Sequence, residues 1–494
     1  MGRSICHNKW GPFMKQPARL MPFKKTVDGV VVTVDPMKNA LETYAGNLTY
    51  IKPSKLLRAT HDAFRRIVEC TTKDSRKVLT FEQGVAGDPF LPYGMGITRG
   101  TAAGFPYNVQ GIKNKRAIFG AKDDFEFDSS LAQACKEKVE HIVSEAKKGR
   151  RCLHLFTDGS KDELRSLPRV ADGKTRLISA CPLDYTIAWR MYFLSFQSAV
   201  QASRVQNSIA IGMNPYKEWS MLAKKLRRNS KKMVAGDYSG FDGSEMPQVH
   251  LAILEHINKW YDDGEENALV RRVLFMEVYD SFHIGGIGVR RNKIMKWAKG
   301  LPSGHPATSI INSLYNLIIL ALIFYEMTSS VDLDFWSHVY PIVYGDDNVL
   351  SVDDIAIPWF NQMTIEACAP LFGMKYTPES KEGSSLRTFR DLSEVSFLKR
   401  DFVLDDDEWL APLELASVVY RAYWITDHSR EVQILKDVLE GTLEELALHK
   451  ESVFLEWASK IEKAAVKLLP WSPELPTRTC AFYRKRVLTS EYNW

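Results

Sequence analysis

The sequence predicts an α+β protein in which short strands ending in carboxylates are set among longer helices. Three stretches carry that expectation. "VYGDDNVL" (343–350) places two adjacent aspartates at a Gly-Asp turn between runs of β-branched and aromatic residues, the pattern of an antiparallel hairpin. "KKMVAGDYSGFDGSEM" (231–246) offers a second short strand, Met233 to Ala235, with Asp237 at its end. "LEGTLEELALHKESVFLEWASKIEKAAVKLL" (439–469) has helical periodicity and high helix propensity.

The 494 residues suit about three domains at roughly 150 residues each. A composition of 45% hydrophobic and 25% charged residues is that of an ordinary globular chain. Seven scattered cysteines without a Cys-x-x-Cys pair argue against a zinc site or disulfide framework and fit a reducing compartment. The start "MGRSICHNKW" lacks a signal pattern, and the most apolar run, "LYNLIILALIFY" (314–325), is short and broken by Asn316, so it is expected to be a buried helix and not a transmembrane segment. Net charge is only +5, but it is unevenly spread. Residues 147–176 hold nine Lys or Arg against four acids, and "KKLRRNSKK" (224–232) is basic at six of nine positions. Acid gathers in "DLDFW" (332–336) and "LDDDEW" (404–409), which predicts one electropositive side.

Two carboxylates at a hairpin tip are most simply solvated turn residues. They become oxygen ligands for Mg²⁺ only if another acid joins them. Asp237 is the candidate, and each acid follows a glycine, Gly236 or Gly345. If its strand lies beside the hairpin, Asp237 and Asp346 converge as two metal ions require for an in-line phosphoryl transfer. Asp347 is then a weaker ligand. Asp242, beyond Gly240, falls at the expected start of the helix containing "VHLAILEHINKWY" (249–261), where capping is its simplest role.

"GDYSGFD" and "YGDDN" together resemble the RNA-dependent RNA polymerases of positive-strand picorna-like viruses. Further blocks follow in that family's order: "TAAGFPYN" (101–108) is similar to its template-entry motif and "KDELRSLPRVADGKTRLI" (161–178) to its basic fingers segment. "GLPSGHPATSIINSLYN" (300–316) resembles its serine-glycine loop and helix, and "FLKR" (397–400) its primer-grip turn. Asn348, after the paired aspartates, leans towards insect viruses of the dicistrovirus or iflavirus kind, or plant relatives.

The resemblance implies a right-hand fold of fingers, antiparallel palm and helical thumb, divided as fingers 1–190, palm 191–261, a fingers insertion 262–298, palm 299–402 and thumb 403–494. "IGGIGVRRNKIMKW" in the insertion reads as a hairpin. Metal (Mg²⁺, with Mn²⁺ as alternative) falls to Asp237, Asp346 and Asp347. Lys161, Arg165, Lys174 and Arg176 are implied to line the triphosphate channel, which suits a planar Arg fork and mobile Lys charges, and Lys174 and Arg176 would share a face if they lie on a strand. Asp242, Ser303 and Asn312 are implied to form a network reading the ribose hydroxyls, with Thr308 on the helix face of Asn312. Lys381 aligns with the residue that protonates departing pyrophosphate. Thr101, Gly104, Ser303, Gly304, Lys399 and Arg400 would contact RNA.

Single-stranded RNA template and primer, NTPs, a genome-linked protein primer and other viral replication proteins are the implied partners. The implied setting is the host cytoplasm, in membrane-associated replication complexes. Such polymerases are cut from a polyprotein, which makes Met1 an expected addition. The rivals are a reverse transcriptase, against which Asp242 and Asn312 stand, and a non-catalytic RNA-binding protein. No Gly-x-x-x-x-Gly-Lys-Ser/Thr loop supports an NTPase or helicase.

Overall fold

The computed structural model describes residues 1–72, 75–285, 293–379, 387–468 and 477–488. At its centre is a four-stranded antiparallel sheet in the order Val339–Tyr344, Asp347–Val352, Met233–Tyr238, Tyr376–Pro378. The first two strands form the expected hairpin, closed by Gly345 and Asp346, with Gly345 at φ 60° in the first turn position where a two-residue hairpin favours glycine. Asn348 pairs with Gly236, so the strand of Asp237 lies directly beside the hairpin.

Alternation along these strands builds two cores. Val234, Val343, Leu350 and Val352 face the main cluster, which includes the helices Thr308–Met327, Pro247–Tyr261 and Pro53–Cys70. Met233, Ala235, Ile342 and Val349 face the opposite way, onto Leu222 and Leu226 of the helix Trp219–Asn229. A period of two can do this only where both faces are covered.

The apolar run at 314–325 lies within the helix Thr308–Met327, longer than the run itself and almost wholly buried by neighbouring elements. Among the described residues it is the one helix long and apolar enough to cross a membrane. Its burial in the core explains its composition.

A second four-stranded sheet has the order Ile294–Trp297, Ser281–Gly285, Leu155–Ser160, Leu177–Ala180. Its first pair is antiparallel, as the hairpin reading of 284–297 expects, although 286–292 lie outside the described residues. The periodic stretch 439–469 is not continuous. Glu431–Leu446 and Glu451–Leu468 are separate helices joined through Ala447 to Lys450, where Arg478 donates to the Ala447 carbonyl. Both pack with Cys6 and Trp10 of the N-terminal segment in one apolar cluster, and Gly2–Arg3 pairs with Trp424–Ile425.

Candidate active site

The carboxylates meet where the hairpin turn overhangs the end of the Asp237 strand. Asp346 and Asp347 are half-buried there, and both resist ionisation. Burial, then Asp347, Asp237 and Asp242, push the Asp346 carboxyl up to about 7. Burial and Asp237 push Asp347 up to about 6 against the pull of Lys399. Asp242 is also raised by burial, opposed by a hydrogen bond from Asn312 and by the charges of Arg176 and Lys161. Four acids therefore share one field, and cations from three distant segments, Lys161, Arg176 and Lys399, act on it.

Polar groups of the buried helix hold the turn in place. Asn316 Nδ2 donates to the carbonyls of Gly345 (2.9 Å) and Asp346 (3.0 Å), and Ser313 Oγ accepts the Gly345 amide at 2.8 Å. The Asn316 Oδ1 accepts from Tyr238 at 3.2 Å. Neither Ser313 nor Asn316 was expected to serve the site. Their signal was available as polar residues interrupting an apolar helix, which in a core must find partners. Asn348 is likewise buried, accepting from Tyr376 Oη at 2.8 Å. The Tyr376 ring also explains Gly236, since a Cβ there would lie 2.1 Å from Cζ. Gly345 has open space around it, so the two glycines precede their acids for different reasons, close approach at Gly236 and positive φ at Gly345.

Asp242 does not begin the helix Pro247–Tyr261. It sits in a separate turn of helix, Phe241–Ser244, entered through Gly240 at φ 66°. Its Oδ1 accepts from Asn312 Nδ2 at 2.6 Å, which capping would not require. Ser303 is not bonded to this pair: its hydroxyl accepts the Ser179 amide at 3.1 Å and donates to the Leu177 carbonyl at 3.3 Å. Two of the three expected network members are thus joined, while the third ties the loop to the neighbouring sheet. Gly304 approaches that sheet so closely that a Cβ would meet the Ser179 carbonyl oxygen at 2.1 Å. Thr308 Oγ1 caps its own loop, donating to the His305 carbonyl at 2.8 Å.

In the basic segment, Glu163 is the organising residue that the count of positive charges concealed. Arg176 Nε donates to Glu163 at 2.7 Å, and Arg165 and Lys161 lie 3.4 and 3.9 Å from the same carboxylate. Lys174 faces Asp172 instead, at 3.6 Å, because residues 174–176 precede the strand Leu177–Ala180. The expectation of a shared strand face for Lys174 and Arg176 therefore fails.

Lys399 is exposed at the tip of the tight turn between Ser396–Phe397 and Arg400–Asp401, with Leu398 and Lys399 both at positive φ. Arg400, expected on RNA, is 9% exposed and points inward to the Ala411 carbonyl (2.7 Å), Tyr216 Oη (3.0 Å) and Glu445 (3.2 Å). Lys399 in the turn is open to solvent, while Arg400, the first residue of the returning strand, is spent on contacts within the fold. Thr101 is exposed, with its hydroxyl on the Thr98 carbonyl at 2.7 Å. Gly104 (φ 73°) packs against Cys181, whose carbonyl oxygen a Cβ would meet at 2.4 Å. Lys381 lies outside the described residues.

Comparison with known proteins agrees with this geometry. The family model described as viral RNA-dependent RNA polymerase matches residues 9–459. The replicase polyprotein of Acute bee paralysis virus (strain Rothamsted) is 32% identical over 486 residues, 94% of this chain and 25% of that polyprotein. That of Cricket paralysis virus is 31% identical over 440 residues, 84% of this chain and 24% of that polyprotein. The genome polyprotein of Rice tungro spherical virus (strain Vt6) is 28% identical, covering 94% of this chain and 14% of its own length. The chain spans about a quarter of the length of the insect-virus relatives. A solved structure described as Sicinivirus 3Dpol RNA dependent RNA polymerase superposes with a TM-score of 0.81 at 22% identity, over 98% of this chain and 94% of that one, which establishes the right-hand fold. Sequence match and superposition each extend over nearly the whole chain, and they place it in the viral RNA-dependent RNA polymerase family.

Proposed function

We propose that this chain extends a primed RNA on an RNA template, using ribonucleoside triphosphates and releasing pyrophosphate, to replicate a positive-strand genome. The observation that carries this reading is the gathering of Asp237, Asp242, Asp346 and Asp347 at the hairpin turn, where burial and then the three neighbouring acids raise the Asp346 carboxyl to about 7.

Such a field fits divalent cations, because bringing in positive charge relieves it. No three His, Cys, Asp or Glu donors among the described residues converge as placed on one point. That is compatible with Mg²⁺, which takes one or two carboxylates and completes its shell with phosphate and water. Asp237, Asp346 and Asp347 would hold it, with Mn²⁺ as the alternative. When bound, the metal supplies Lewis-acid stabilisation of the attacking and leaving oxygens.

The chain's own residues do the rest. The charges of Arg176 and Lys161 reach Asp242, so both are close enough to the acids to meet a triphosphate held there. Asn312 Oδ1 is buried without a partner among the described residues, an acceptor that a ribose hydroxyl would satisfy. Lys399 would support the primer beside Asp347, and Lys381 would protonate the leaving pyrophosphate. A genome-linked protein primer and other viral replication proteins are the partners that go with this reading, supported by the polyprotein origin of the relatives. The setting is the host cytoplasm, in membrane-associated replication complexes. The division into fingers (1–190 and 262–298), palm (191–261 and 299–402) and thumb (403–494) belongs to the same reading.

The test is extension of an oligonucleotide-primed homopolymeric RNA with the complementary NTP and either Mg²⁺ or Mn²⁺. Stepwise extension that stops on chelation is expected. Folded protein that binds the RNA but adds nothing with either metal would reduce the chain to an RNA-binding protein. Equal use of NTPs and dNTPs would favour DNA synthesis.

A further inference from the structure

The basic run at 224–232 has no part in the site above. It forms the outer face and C-terminal end of the helix Trp219–Asn229, whose inner face, Leu222 and Leu226, packs on the central sheet. Lys224, Arg227, Arg228 and Lys231 are exposed, and none has an ion-pair partner among the described residues, whereas the next residue, Lys232, pairs with Asp354 at 2.5 Å. Lys225, between Lys224 and Arg227, is half-buried, and burial and then the charge of Arg66 lower its ammonium.

The location separates this charge from the carboxylates. Asn229 Nδ2 donates to the Ser351 carbonyl at 2.9 Å, and Ser351 pairs with Met233, whereas Asn348 and Gly236 pair at the other end of the same two strands. Four residues of strand from Met233 to Asp237 are about 13 Å. The helix also covers the sheet face opposite to the helix Thr308–Met327, which holds the catalytic turn.

We propose that this face is a second RNA-binding surface, taking single-stranded RNA by its phosphates outside the active-site channel. It rests on the polymerase reading only for the identity of the polymer. A cavity of about 520 Å³ runs along it, lined by Ser220, Met221, Lys224, Lys225, Arg228 and Glu408. That concavity suits an extended polyanion. A bilayer would need a flat or protruding face rich in apolar side chains, and Met221 is the one bulky apolar residue exposed in the cavity. At the end of the basic run, Lys232 lies 5.0 Å from the ring centroid of Phe389, which is 40% exposed, so an aromatic ring able to stack on a base adjoins the run.

The test compares the full chain with a variant carrying Lys224→Gln, Arg227→Gln, Arg228→Gln and Lys231→Gln, and separately with Phe389→Ala. Single-nucleotide extension of a short self-priming RNA hairpin reports the active-site channel and should be unchanged in both. Affinity for a long unstructured RNA should fall about 10-fold or more in the quadruple variant, and the slope of log K against log salt should shrink by about 3, roughly 0.7 for each phosphate that is no longer neutralised. Phe389→Ala should weaken long-RNA binding with no change in that slope. Unchanged long-RNA affinity and slope in the quadruple variant would overturn the proposal. So would loss of hairpin extension together with long-RNA binding, which would assign the cations to the channel or the fold. Loss of binding to phosphatidylcholine–phosphatidylserine vesicles with RNA affinity intact would make the face a membrane contact instead.

Discussion

The charges around the hairpin turn and those around Arg400 are balanced in opposite ways. Around the hairpin turn, burial and then neighbouring acids push Asp346 and Asp347 up to about 7 and about 6, with Lys399 opposing the shift of Asp347. Around Arg400, Glu445 stays below the usual carboxylate range despite burial, because Arg400 and Lys485 compensate it and Tyr216 donates to it. The first cluster resists ionisation, and added positive charge would relieve it. A compensated one is finished and holds elements together, here the turn after Phe397 and the helix Glu431–Leu446. Charged residues at a proposed site are therefore better judged by what neutralises them than by their place in a motif.

The largest expected effect breaks the first cluster. Asp237→Asn or Asp346→Asn should cut single-nucleotide extension about 1,000-fold or more, since metal stabilisation of the transferring phosphoryl group is worth several kcal/mol. RNA affinity should hold, because it comes from phosphate contacts elsewhere. Asp346→Asn retaining a tenth of wild-type turnover would remove Asp346 from the metal site.

Breaking the second cluster should give the opposite pattern. Arg400→Leu removes one of the two cations that compensate buried Glu445 and leaves it Lys485 and Tyr216, so the loss of stability should approach the roughly 3–5 kcal/mol typical of breaking a buried ion pair. Thermal or denaturant unfolding should show that loss, while RNA affinity per folded molecule stays near wild type. A failure to bind RNA at unchanged stability would return Arg400 to the primer path.

Arg176→Ala should raise KM for NTP and lower kcat, with kcat/KM down by about 10- to 100-fold, as expected for a charge-assisted hydrogen bond worth about 1.5–3 kcal/mol. Arg176 already belongs to Glu163 before any nucleotide arrives. Glu163→Gln, which frees the guanidinium, should therefore move KM for NTP far less than Arg176→Ala does. Equal damage from both would show that the pair acts as a structural unit like Arg400 and Glu445.

The smallest effect concerns selectivity. Asn312→Ala removes both the donor to Asp242 and the unpartnered Oδ1, and should reduce the preference for NTP over dNTP by about 10-fold. Matched single-nucleotide extensions on one primed RNA would measure it. An unchanged ratio with normal NTP use would leave Asn312 as a support for Asp242 alone.

Local chemistry was enough to read the hairpin, the strand of Asp237 and the buried helix. Gly-Asp turns, period-two alternation and an apolar run are written in residues a few positions apart. Family resemblance added the pairing of the two acid motifs, and the register of Asn348 with Gly236 bears that pairing out. Partnership over long range was not legible. Arg400 is separated from Glu445 by 45 residues, Asn316 from the Gly345 carbonyl by 29 and Ser303 from the Ser179 amide by 124, and no local pattern encodes which of many polar residues a side chain will meet. The central strands, the buried helix and the acids at the strand ends follow from sterics and burial within a few residues, whereas the break between Leu446 and Glu451 and the separate turn of Asp242 do not. Only the tertiary structure decided which charges are neutralised, which separates Lys399 beside Asp347 from Arg400 inside the fold, since neutralisation depends on distances that folding alone creates.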